Sequence, residues 1–147
     1  MKIIVALILL LFTFASLSQT DVREVNSEDI YTSKNRNLVL SELTIDTAVR
    51  YCLFFLDEQY QDVYKYKYLM FDDTIQVVNF MNRAISSIKT LKEYQLLIGE
   101  EYVHLSEHFY QGLTVYAKGG WFSLTYKNAE ALLAELRRYN QPSNSSK

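Results

Sequence analysis

Both histidines of the chain, His104 and His108, fall within the five residues HLSEH, with Glu107 immediately before the second. Two imidazoles and a carboxylate in an H-x-x-E-H pattern could hold a zinc ion and supply a general base, the equipment of a metal-dependent hydrolase. That chemistry requires a helix, where residues four apart share one face with Cβ atoms about 5–6 Å apart. On a strand the same two residues stand roughly 13 Å apart. Ligands that bind zinc at about 2 Å cannot then share one ion.

The flanking residues point to a strand. Val103, Leu105 and Phe109 alternate with Tyr102, His104, Ser106, His108 and Tyr110, and Gly99 and Gly112 bracket the run too closely for a long helix. At His104, Glu107 and His108, and nowhere else, the chain resembles the inverzincin zinc peptidases. That resemblance implies two metal ligands with a base between them. Those enzymes place a further acidic ligand on a later helix, and Glu130 is the residue of that kind here. We expect instead two polar side chains on the wetter face of a sheet, with the small metal-dependent hydrolase as the alternative.

A second candidate is the tyrosine row in VYKYKYLMF. Tyr64, Tyr66 and Tyr68 share one face of an alternating run and could bind a ligand by stacking, at about 6.6 Å spacing. Met70 continues the row and extends its apolar character, which predicts a face packed under a helix. Lys65 and Lys67 would then take the solvent side. Asp72 and Asp73 form an acidic pair, but Asp73 is explained as a helix cap, leaving Asp72 exposed. Cys52, alone in YCLFFL, reads as a small buried hydrophobe, since a reactive thiol needs a basic, half-exposed setting. There is no G-x-S-x-G, no phosphate loop, no C-x-x-C and no acidic metal loop. No cofactor is expected, and the enzyme question leans to no.

The elements that must position these residues begin after an apolar leader. Lys2, the run Ile3–Ala15 and the small residues Ser16 and Ser18 have the layout of a secretory signal peptide spanning 1–18. The run is shorter than the roughly 20 residues that cross a bilayer. Export to the periplasm or the extracellular space follows, with no membrane span left after cleavage. The remaining 129 residues (147 − 18) suffice for one domain. Without Lys2 they carry 14 basic and 17 acidic residues, with no basic block, so nucleic acid is excluded as a partner. With a single cysteine, the fold depends on its apolar core rather than on disulfides.

Residues 19–45 read as a polar N-terminal segment, possible to dock loosely, and 141–147 as a disordered tail around Pro142. Residues 46–140 read as a single α+β domain: an antiparallel sheet of about five to six strands with two amphipathic helices, in the order β-β-α-β(meander)-α. AVRYCLFFL and VYKYKYLMF form a hairpin. Asp73 and Gln76 open a helix whose stripe is Val78, Met81, Ile85 and Ile88. Thr125 opens a second, with Ala129, Leu132, Leu133, Leu136 and Tyr139. No internal repeat is visible. The expected function is a non-enzymatic binding or interaction module of the envelope, with an unknown protein or small-molecule partner. A third reading is a protein that pairs with itself through a sheet edge.

Overall fold

The computed structural model describes residues 25–59 and 65–141. Eight strands and two helices follow in chain order: β1 (Val25–Thr32), β2 (Leu38–Ile45), β3 (Ala48–Leu56), β4 (Tyr66–Phe71), α1 (Thr74–Thr90), β5 (Tyr94–Ile98), β6 (Glu101–Phe109), β7 (Gly112–Ala117), β8 (Gly120–Thr125) and α2 (Tyr126–Tyr139). They form two four-stranded antiparallel sheets, β1-β2-β3-β4 and β5-β6-β7-β8. The expectation of one sheet of five to six strands is therefore wrong. The strands it lacked are β1 and β2, in the segment read as loosely docked. VNSEDIYT has almost no buried side chain, because an edge strand with polar residues on both faces shows no period of two. The leader, Tyr64 and the tail from Pro142 onward lie outside the described residues.

The architecture is a unit used twice, four strands and then a helix, although no repeated sequence marks it. The helices carry the echo. Counting from the caps Asp73 and Thr125, the buried apolar positions are Val77, Phe80, Met81 and Ala84 in α1, and Ala129, Leu132, Leu133 and Leu136 in α2. These are the fourth, seventh, eighth and eleventh residues after each cap. Asp73 Oδ1 accepts from the Gln76 backbone N–H at 2.8 Å, and Thr125 Oγ1 from that of Asn128 at 3.2 Å. Each bond satisfies one of the unpaired donors of a first turn.

Each helix packs across to the other half. α1 lies against β5, β6 and β7 as well as β4, while α2 lies against β1 as well as β8, and the two helices touch. A single apolar cluster results, drawing Leu40, Leu53, Phe55 and Leu69 from the first sheet and Val103, Leu105, Leu113 and Val115 from the second. Phe55 stacks on Phe122 with ring centroids 4.4 Å apart, joining the sheets directly.

The four edge strands are treated differently. β1 is flanked by α2. β8 is capped by the residues after β3: the Glu58 N–H donates to the Trp121 carbonyl, Asp57 Oδ1 accepts from the Trp121 N–H, and Glu58 Oε1 accepts from the Ser123 N–H. β4 comes beside β5 without joining its ladder. Among the described residues, the outer edge of β5 carries no backbone hydrogen bond to another strand.

Candidate functional site

HLSEH lies on β6, a strand. His104 occupies an outward row across the second sheet, Gln95–His104–Tyr116–Trp121, between the buried Val103 and Leu105. Ser106 pairs with Thr114 and Phe109 with Gly112, so β6 holds one residue more than β7 over this stretch. Glu107 sits at that bulge with φ 49°. The extra residue reverses the alternation and turns His108 to the α1 side, where its Nε2 lies 2.9 Å from Ser87 Oγ. The two histidines thus point to opposite faces and have different partners.

Their partners share one neighbourhood, however. Ser87 Oγ donates to the Lys92 carbonyl at 2.5 Å, so it can only accept from His108, which fixes the proton on Nε2. His104 Nε2 lies 3.5 Å from Glu93 Oε2. Lys92 and Glu93 are the link between α1 and β5. The pair holds that link from both faces of the sheet. Among the described residues no group of three His, Cys, Asp or Glu side chains is placed to hold a metal ion. Glu130 is instead bonded by its helix neighbour Tyr126.

Tyr66 and Tyr68 are brought together, but on the face opposite to the one expected. Leu69 and Phe71 point into the core, while Tyr66 and Tyr68 look outward, 53% and 59% exposed. Neither helix among the described residues covers them. Lys67, read as solvent-facing, pairs with Phe55 at the end of the core-facing rows, with its Nζ near Gly119. The outer face of the first sheet is a shallow trough lined by Val39, Leu43, Phe54 and Tyr66, with Asp29 and Arg36 at its polar side. Cys52 is buried on this face, and burial pushes its thiol up to about 12.

One concavity was not legible from any motif. It is a groove of about 560 Å3 between α1 and the free edge of β5. Gln76, Asn79, Arg83 and Ser86 recur at helical spacing along its α1 wall. Leu96, Leu97 and Ile98 line the strand side, and Phe80 contributes apolar floor. At the Ile98 end β4 closes in, the Met70 carbonyl lying 4.0 Å from where a Gly99 side chain would begin. At the other end Arg83 sits over the Tyr94 ring, 5.5 Å from its centroid. Only a periodicity argument joined to the sheet order could have found this groove, and the order depended on the missed split into two sheets.

The tight β5–β6 turn pairs Ile98 with Glu101, which directs the backbone groups of Ile98, Leu96 and Tyr94 to β6. Those of Gln95 and Leu97 point out into the groove. The site therefore presents a row of free backbone donors and acceptors, an apolar floor and a polar helix wall. No family model, curated protein or solved structure matches the chain. Its chemistry is read from its own geometry.

Proposed function

We propose that the protein is an exported, non-enzymatic binding module that captures an extended polypeptide as an added strand on β5. The observation that carries this is the unpaired β5 edge standing beside a helix wall. An exposed edge recruits an extended backbone through main-chain hydrogen bonds, and pockets beside it select alternate side chains. Five residues of strand offer about 16 Å of ladder. Support for export comes from the leader-like layout of residues 1–18. No helix among the described residues is long and apolar enough to cross a membrane.

A second copy of the chain fits the groove poorly. Its own β5 comes with its own α1 packed alongside. A foreign segment brings only a strand.

The test is a phage-displayed library of random decapeptides panned on the chain from Gln19 onward. We expect enriched peptides that, once synthesised, bind one to one and lose binding in Gln95→Pro. That substitution removes an N–H facing the groove and leaves the bonds to β6 in place. Binding that survives Gln95→Pro, or a library that enriches nothing, overturns the proposal. So does a concentration-dependent dimer abolished by the same substitution, which would make a second copy the occupant.

A further inference from the structure

Among the described residues that line the groove, the only formally charged side chain is that of Arg83. The ion pairs among the described residues use Arg50, His104 and Arg138, so the Arg83 guanidinium has no carboxylate partner there. It is held in place by the Tyr94 ring below it. Two hydroxyls stand at the same point, that of Ser86, which lines the groove, and that of Tyr94, which accepts from Ser86 and keeps its own O–H to donate. The Tyr94 hydroxyl is held below its ordinary value, first by the hydrogen bond it accepts from Ser86 and then by the positive charges of Arg83 and Lys92. A charge that favours the phenolate there favours any other anion as well. Glu93, the acid next to Tyr94 in sequence, is engaged with His104.

From this geometry we infer that Arg83, with Ser86 and Tyr94 beside it, is a carboxylate subsite at the open end of the groove. An extended peptide lying on β5 is then read by one acidic group where it leaves the groove near Tyr94. The inference rests on the strand-capture reading and adds the chemistry of the residue selected. A guanidinium matches a carboxylate bidentately, and a ring-stacked arginine keeps its fork of donors free to do so. The helix end does not oppose this, since Arg83 lies two turns before the C-cap Leu91 and the axial dipole acts within the last turn. The carboxylate can come from an acidic side chain or from a chain terminus.

Two small probes separate these sources and need no peptide partner: N-acetylglutamate amide, which carries only a side-chain carboxylate, and N-acetyl-diglycine, which carries only a terminal one. Each is titrated into the 15N-labelled chain from Gln19 onward while the Arg83 Nε–H and the Ser86 and Tyr94 amides are followed by NMR. We expect saturable shifts confined to these signals with at least one probe, the tighter probe naming the source. Arg83→Gln should weaken binding by about tenfold or more and Arg83→Lys by less, as loss of a bidentate fork requires. No saturable shift with either probe overturns the subsite, as does a shift that persists in Arg83→Gln. Both results leave peptide capture to be judged by Gln95→Pro alone, so the two failures are distinguishable.

Discussion

His104 and His108 show how far a short pattern can mislead without its element. The alternation around them places them on a strand, and that much is legible in Val103, Leu105 and the bracketing glycines. The bulge at Glu107 is not, because nothing in SEHFYQG announces a residue with positive φ at that position. Its effect is to give the two rings unequal work. His108 is half-buried against Ser87, whereas His104 and Glu93 are both well exposed. We expect His108→Ala to cost about 1–2 kcal/mol, the loss of a partly buried hydrogen bond and its packing. His104→Ala should cost below about 0.5 kcal/mol, as an exposed ion pair does. Urea unfolding of both variants measures the split. Equal losses would contradict the assignment, and a zinc-dependent midpoint lost in both would mean that the rings meet on one ion.

At the scale of elements, the two helices were the most legible part. Asp73 and Thr125 cap them as their residue types require, and the stripe of α2 follows from spacing alone. α1 is turned slightly, burying Val77, Phe80, Met81, Ala84 and Ser87 and leaving the expected Val78, Ile85 and Ile88 half-buried beside them. Gln76 does reach back, but its side chain accepts from the Asp72 N–H, one residue before the cap. The strands were harder because both faces of a sheet can look apolar. In β4 the aromatic row was assigned to the core, yet Leu69 and Phe71 fill it and the tyrosines are left outside. Met70 extends an outward row. The cap on β8 was also illegible, since its partners are more than sixty residues apart. It depends on Gly120, where a side chain would begin 2.7 Å from the Asp57 carboxyl. Gly120→Ala should force Asp57 aside, cost about 2 kcal/mol as overpacking does, and speed hydrogen exchange at the Ser123 amide. Unchanged exchange there would show that the cap tolerates the shift.

At the scale of the whole molecule, the twofold use of a four-strand-plus-helix unit suggests two independent halves, and the packing denies it. α1 belongs in sequence to the first half but lies on β5, β6 and β7, and α2 returns to β1. A chain ending at Leu91 would keep every residue of the first unit and lose the surface on which its helix packs. We expect such a chain to show no cooperative urea transition and poorly dispersed amide signals, while the chain from Gln19 to Lys147 unfolds in one step. A folded fragment would mean that each half carries its own core. The same exchange of helices explains why the sheet order could not be derived from sequence. Consecutive antiparallel strands ordinarily continue one sheet, and only tertiary packing divides eight of them into two sets.

The cap on β8 also has a bearing on stoichiometry. Growth of a filament through sheet edges needs two exposed rims on each unit, one to give and one to receive. In the second sheet Asp57 and Glu58 occupy one rim and leave β5 as the other. On the strand-capture reading, that sheet would act as a chain stopper, taking one strand at β5 with no opposite rim from which a polymer could continue.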